Sequence, residues 1–159
     1  MTECAPLISY VGHTMSKVGS CGRVVSRMEI KVDSDDPENK PGELLTRGTN
    51  MMTGYYKNPK ATAAAIDKDG WYHTGDLATM SKDGHVFIRG RIKNMLLGAN
   101  GQNIYPEEIV DKLSSLPYVT ECVVIQKGEQ LYGLVYTDPD ELKKGGISQR
   151  QLEAQMEQN

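Results

Sequence analysis

Apolar and polar positions alternate from Met28 to Val32, with Met28, Ile30 and Val32 on one side and Glu29 and Lys31 on the other. That period of two predicts a strand with one wet face, reaching back to Val24. Residues 33–41 (DSDDPENKP) read as a solvated acidic turn, because no glutamate closes them at calcium-loop spacing. Residues 42–47 then read as the return strand. Asn58-Pro59 supplies an N-cap and a first-turn proline, so the alanine-rich stretch 60–66 is expected to be a short helix ended by a turn at Asp69-Gly70. Residues 77–80 and 85–88 flank Ser81-Lys82-Asp83-Gly84, a hairpin signal. Further on, Ile109, Val110, Leu113 and Leu116 fall at helical spacing and Pro117 closes that helix. Residues 119–126 and 131–137 read as two strands joined through Lys127-Gly128-Glu129-Gln130 and paired antiparallel. Ser148 with Gln151 makes a capping box for a last helix that carries Leu152 and Met156. Residues 1–22 read as irregular loop, and Lys143 and Lys144 as part of an ordinary charged turn.

The order strand, helix, strand, strand, helix from about residue 85 onward predicts a small α+β unit behind a mostly β segment. The fold class is therefore α+β. The boundary is placed at Arg89-Gly90-Arg91, giving segments 1–89 and 90–159. Composition narrows the class without naming a function. Hydrophobic content of 38% with 25% charged residues describes a globular chain. A net charge of -3 gives no broad attraction to nucleic acid or acidic membrane, so an anion site has to be local. Cys4, Cys21 and Cys122 lack metal-ligand spacing and fit a reducing compartment better than a disulfide framework. No apolar run is long enough to span a bilayer, and Met1-Thr2-Glu3-Cys4 does not open like a signal peptide. A cytoplasmic placement is expected, with the membrane periphery as the alternative.

Candidate chemistry centres on residues 90–109 (GRIKNMLLGANGQNIYPEEI). Two cations, Arg91 and Lys93, stand beside a short apolar run and a loop of glycines and asparagines. The loop leads into a helix that starts with Pro106, Glu107 and Glu108, residues suited to the positive end of a helix dipole. Such a stretch can receive a phosphate-bearing ligand or be a basic turn between strand and helix. Thr2-Glu3 puts a hydroxyl beside a carboxylate, able to meet a phosphate and a magnesium ion, although such pairs are common. In Trp71-Tyr72-His73-Thr74-Gly75-Asp76 the glycine allows close backbone approach, and the aspartate can accept two hydrogen bonds from a vicinal diol such as ribose. The competing reading of that stretch is a capped turn ahead of a strand at Leu77. His73 reads as a packing or surface residue, since no serine or cysteine nucleophile accompanies it. Gly42-Glu43, Arg47-Gly48 and Gly54-Tyr55-Tyr56-Lys57-Asn58-Pro59 read as scaffold.

Taken in order, five blocks closely resemble the adenylate-forming enzymes, a superfamily of acyl-CoA synthetases, luciferases and peptide-synthetase adenylation domains. They are Met1-Thr2-Glu3; Pro41-Gly42-Glu43 with Arg47-Gly48; Gly54-Tyr55 with Asn58-Pro59 and Ala61-Thr62; Trp71 to Leu77; and Gly90-Arg91-Ile92-Lys93 with Gly101 to Ile109. The resemblance runs from Met1 to about Thr137. The loop Gly98-Ala99-Asn100-Gly101-Gln102-Asn103-Ile104-Tyr105-Pro106 looks most like the long-chain fatty-acid CoA ligase branch.

The resemblance implies a two-step ligation. ATP and a carboxylate give an acyl-adenylate and pyrophosphate, and the thiol of coenzyme A then displaces AMP. It implies that Thr2 contacts phosphate, Glu3 holds Mg2+, Asp76 binds both ribose hydroxyls and Arg91 reaches the ribose. It further implies that Lys93 is the hinge of a mobile C-terminal domain and that Gly101 lies by the pantetheine channel. The cofactors implied are ATP/AMP, Mg2+ and CoA, with a fatty acid as partner substrate and no nucleic acid. Segment 1–89 would be the end of the large ATP-binding domain, and 90–159 the mobile domain, truncated before the adenylation lysine. The phosphate-binding loop and the aromatic-glycine pair that precedes Thr-Glu in the family have no counterpart here. The isolated chain is therefore expected to be an inactive fragment, prone to self-association. Three alternatives stay open: an adenylation domain that loads a carrier protein, a non-catalytic interaction module that keeps the fold, and, against the five ordered blocks, an unrelated nucleotide-binding protein.

Overall fold

A computed structural model describes residues 1–12, 16–98, 100–128 and 130–156. Ala99 of the glycine loop, Glu129 of the predicted hairpin turn, part of the predicted opening loop and the last helix beyond Met156 lie outside the described residues. The chain divides into two compact units, Met1–Lys93 and Asn94–Asn159.

The first unit begins with a 3-10 turn, Thr2–Cys4, and a short ladder of β1 (Ser9–Tyr10) with β2 (Arg23–Val24). The opening is thus not wholly irregular. Its main sheet has four antiparallel strands in sequence order: β3 (Met28–Asp33), β4 (Gly42–Gly48), β5 (Tyr72–Met80) and β6 (Val86–Arg91). The predicted strand from Val24 to Val32 is broken, because Arg27 takes a left-handed conformation (φ 66°) between β2 and β3. The rest of that reading holds: Met28 and Val32 are buried while Glu29 and Lys31 are exposed. Val32, Leu44, Ala78 and Val86, with Ile30 and Met80 packed against them, form the core. A valine, leucine, isoleucine or methionine among them contributes on the order of 1.5–3 kcal/mol when fully removed from water. Outside the core, Glu29 and Arg47 face each other across β3 and β4 and pair through two contacts of 3.1 and 2.8 Å. The Arg47 guanidinium and the Lys31 ammonium both lie over the Trp71 ring, 4.4 and 4.5 Å from its centre.

Helix α1 (Pro59–Ala65) starts as the sequence indicates. Pro59 opens it and the Asn58 side chain accepts from the Ala61 N–H at 3.0 Å. One expectation is overturned just beyond. Residues 71–76 are not a turn ahead of a strand at Leu77; β5 already starts at Tyr72 and runs through Gly75.

In the second unit, β7 (Leu96–Leu97) pairs with β8 (Asn103–Ile104), so the glycine loop is a small hairpin. It feeds α2 (Pro106–Ser114), whose first-turn Glu107 accepts from the Asn94 side chain at 2.8 Å. Helix α2 packs on β9 (Glu121–Lys127), which pairs antiparallel with β10 (Gln130–Tyr136). Lys143 and Lys144 belong to a helix, α3 (Pro139–Gly145), and not to a charged turn. Asp138 caps it, Pro139 opens it and Gly146 ends it at φ 66°, a start-and-stop signature legible in Asp138-Pro139 and Gly145-Gly146. Helix α4 (Gln149–Met156) has its capping box: Ser148 donates to the Gln151 side chain at 2.9 Å, and the Gln151 N–H returns to Ser148 Oγ. Among the described residues no helix is long and apolar enough to cross a membrane.

Candidate nucleotide site

The site grows out of an irregularity in the main sheet. Glu43 is opposite Leu77 and Leu45 is opposite His73, so Thr74, Gly75 and Asp76 together face only Leu44. Gly75 adopts φ 70°, a conformation that glycine enters without strain. This bulge takes three residues out of the β4–β5 ladder, and the polar groups they turned toward β4 need other partners. Each finds one. The Gly75 N–H donates to Glu43 Oε1 (3.0 Å), the Asp76 N–H to Thr74 Oγ1 (3.0 Å), and Thr74 Oγ1–H to the Leu44 carbonyl (2.7 Å). The Thr74 carbonyl accepts from the Arg91 guanidinium at 3.1 Å.

Asp76 and Arg91 are direct neighbours across β5 and β6, and Arg91 donates to Asp76 Oδ1 at 2.6 Å. Both side chains remain accessible, Arg91 at 45% and Asp76 at 22%. One carboxylate oxygen of Asp76 is therefore pinned while the other keeps room for a donor. Glu43, Thr74, Gly75, Arg91, Ile92 and Lys93 line a cavity of about 390 Å³ beside this pair. The fold thus brings Asp76, Arg91 and Lys93 together. Lys93 lies in a 3-10 turn, Ile92–Asn94, and is the last residue of the first compact unit.

Thr2 and Glu3 sit on the opening 3-10 turn, Thr2 exposed and Glu3 half-buried. The Tyr55 hydroxyl donates to Glu3 Oε1 at 3.3 Å. Tyr72, buried at the head of β5, has its phenol held well above the usual range, first by burial, then by a hydrogen bond with Tyr55 and by the Glu3 charge. A tyrosine pair thus connects the Thr2-Glu3 turn to the strand that carries Asp76. A phenol kept neutral by burial leaves stability intact below its unfolded value of about 10 and withdraws it as pH rises toward the folded value. Urea unfolding at about pH 8 and about pH 10.5 should show an alkaline loss that Tyr72→Phe flattens. An identical loss in the variant would assign it to other groups.

Gly101 lies in the second unit, in the hairpin turn at φ 77°, where an added Cβ would meet nothing within 4 Å. Among the described residues no three His, Cys, Asp or Glu side chains gather as a metal site. Glu43 and Tyr55, scaffold residues by sequence, contact the candidate site residues: Glu43 through the Gly75 N–H and Tyr55 through Glu3. The available signal was local: Leu44, Leu45 and Thr46 are consecutively buried, so β4 is covered on both faces, and a carboxylate beside that run needs a polar purpose.

Residues 1–56 match the model of the family described as AMP-binding enzyme. The chain is 37% identical over 145 residues to 4-coumarate–CoA ligase 2 of Oryza sativa subsp. japonica, which covers 85% of this chain and 25% of the relative. It is 42% identical over 130 residues to a long-chain-fatty-acid–CoA ligase of Escherichia coli O6:H1, covering 79% of this chain and 23% of the relative. Among solved structures, the O-succinylbenzoate coenzyme A synthetase of Bacillus subtilis in complex with ATP and a magnesium ion superposes with a TM-score of 0.77 at 28% identity. That match covers 91% of this chain and 33% of the other. The chain spans about a quarter of the length of the curated relatives it matches. By sequence and fold together, it belongs to the AMP-binding, adenylate-forming superfamily.

Proposed function

We propose that this chain carries the ribose-binding edge and hinge of an ATP-dependent acid–thiol ligase, one that adenylates a carboxylic acid and passes the acyl group to coenzyme A. Residues 1–89 correspond, in this reading, to the end of the large nucleotide-binding domain, and 90–159 to the first part of a mobile C-terminal domain. The observation that carries it is the Asp76–Arg91 pair at the edge of the cavity. A carboxylate with one oxygen fixed by a guanidinium and the other accessible is suited to a vicinal diol, whose two hydroxyls need acceptors in a defined plane. Arg91 orients Asp76 and so reaches the ribose chiefly through that carboxylate. Lys93, at the limit of the first unit, serves as the pivot, because an ammonium can be solvated in either orientation.

Glu3 fits a magnesium ion. It is half-buried, holds one hydrogen bond from Tyr55 and stands next to the Thr2 hydroxyl. Magnesium takes one or two protein carboxylates and completes its octahedron with phosphate oxygens and water, so a three-carboxylate cluster is not required. When bound, the ion neutralises phosphate charge. Thr2 contacts phosphate, and Gly101 leaves space for the pantetheine arm of coenzyme A.

A long-chain fatty acid is the acid favoured here. The support is the Gly98-to-Pro106 loop and the 42% identity to the Escherichia coli relative, against 37% for the 4-coumarate ligase. Calorimetric titration tests the core of the proposal: AMP should bind this chain saturably, and ATP should bind more tightly with Mg2+ than without. No heat from either nucleotide would overturn it. ATP–pyrophosphate exchange with palmitate and with 4-coumarate should give no turnover from this chain by itself. Robust exchange would show that it holds more than part of the machinery.

A further inference from the structure

Glu43 makes two contacts that a strand residue facing solvent would not need. Oε1 accepts the Gly75 N–H at 3.0 Å, and Oε2 lies 2.8 Å from His73 Nδ1. The far nitrogen of His73 lies 3.9 Å from Asp67 Oδ2, and Asp67 Oδ1 is in turn fixed by the N–H groups of Asp69 and Trp71. A chain of side chains therefore runs from the turn after α1, through His73 and Glu43, to the backbone of the bulge. We infer that Glu43 is a positioning residue for nucleotide recognition: it stands in for the ladder carbonyl that Gly75 lacks and so sets where the Asp76 carboxylate points. This rests on reading Asp76 as the ribose acceptor.

The physical case is one of replacement. In a regular antiparallel ladder the Gly75 N–H would bond to a backbone carbonyl of β4, but the bulge has moved it out of register. An N–H left without an acceptor costs more than the net value of the bond it lost, so the strand without Glu43 would relax toward a conformation that satisfies it. Gly75 adjoins Asp76, and its left-handed conformation fixes the direction in which Asp76 leaves the strand. Arg91 cannot perform this task. It holds the Thr74 carbonyl and Asp76 Oδ1 from the other side, while the Gly75 N–H is held by Glu43. His73 gains a role as well: paired with Glu43 Oε2, it keeps the carboxylate from rotating away from Gly75.

The test compares AMP with 2′-deoxy-AMP by calorimetry on the full chain. The ratio of their affinities reads contact with the ribose hydroxyl and is blind to a general loss of folded protein. Wild type should prefer AMP. Glu43→Ala and the size-matched Glu43→Met should each lower that preference by about tenfold, toward the value of Asp76→Ala. Glu43→Gln, which can still present an oxygen to Gly75 and an amide to His73, should keep most of it. The Gly75 amide resonance should shift in the first two variants and stay near its place in the third. If Ala and Met weaken both nucleotides equally, or neither, Glu43 only supports the fold and the inference is wrong. If wild type binds AMP without preferring it to the deoxy form, the ribose assignment of Asp76 itself fails and the inference falls with it.

Discussion

Gly42→Ala is expected to destabilise the first unit by about 3 kcal/mol or more, a large share of the roughly 5–15 kcal/mol by which a domain is ordinarily stable. Gly42 is buried at the start of β4, paired with Ala78 of β5 on one side and pressed against the end of β3 on the other. A Cβ there would overlap the carbonyl oxygen and carbon of Asp33 and touch the Ser34 side chain. The obstacle is backbone, held by the β3–β4 ladder, so no rotamer change removes it. The strands would have to separate at the edge of the core that Val32 and Leu44 form. Gly70→Ala is the matched control: Gly70 has φ 79° but nothing within 4 Å of an added Cβ. It should cost only the conformational term, roughly 1–2 kcal/mol. Chemical denaturation of the two variants separates collision from conformation. Equal midpoints would mean that the β3–β4 edge yields more easily than its packing indicates.

The contrast shows what a sequence can carry. Gly70 reads as a turn residue and nothing more is needed there, while Gly42 reads only as the first residue of the return strand. The close approach at Gly42 exists only because residues 33–41 return the chain so that Asp33 meets Glu43 in register. Local elements governed by short-range chemistry were legible: the Asn58-Pro59 helix start, the Ser81–Gly84 hairpin, the helix at Ile109 and the Ser148–Gln151 box. Helix α3 was equally local, with Asp138, Pro139 and Gly146 in place, yet the charged residues between them hid it behind a turn reading. The break at Arg27 was not legible, because a left-handed arginine goes against every local preference and is imposed by its neighbours.

The site divides along the same line. Asp76 is a legible candidate from its own chemistry, a carboxylate beside a glycine that permits close approach, and the resemblance is what separates it from a capped turn. Its pairing with Arg91 depends on a β5–β6 register that shifts between Leu77 and Ala78, and no alternation pattern announces such a shift. Glu43 was hidden further, since its meaning comes from the displaced N–H of Gly75, thirty-two residues away. The resemblance to the adenylate-forming enzymes marks the blocks along the chain without saying what holds them together. The bulge answers that. It is a defect in pairing in which the Gly75 and Asp76 N–H groups and the Thr74 carbonyl find side-chain partners, and it leaves the Asp76 side chain partly exposed.

Asp76→Ala should weaken AMP binding by about a hundredfold and abolish the preference for AMP over 2′-deoxy-AMP. Two charge-assisted hydrogen bonds from ribose hydroxyls would be lost together, each of the order of 1.5–3 kcal/mol gross, with water at the vacated position recovering part. The fold should tolerate the change. Asp76 is partly exposed, its N–H keeps the Thr74 hydroxyl as acceptor, and Arg91 keeps the Thr74 carbonyl. Asp76→Asn separates charge from shape: it retains one acceptor but faces Arg91 without a negative charge, so its affinity should fall by about tenfold. Arg91→Ala should lie between the two, because it releases Asp76 from its orientation without removing the acceptor. In the double variant Asp76→Ala/Arg91→Ala the two losses should not add, since Arg91 acts on the ribose largely through Asp76. Calorimetry with AMP reads all four variants, and unchanged affinity in Asp76→Ala would remove the carboxylate from the nucleotide site altogether. Fully additive losses would instead mean that Arg91 contacts the nucleotide independently, by way of phosphate, and that the 2.6 Å pair with Asp76 serves the fold alone.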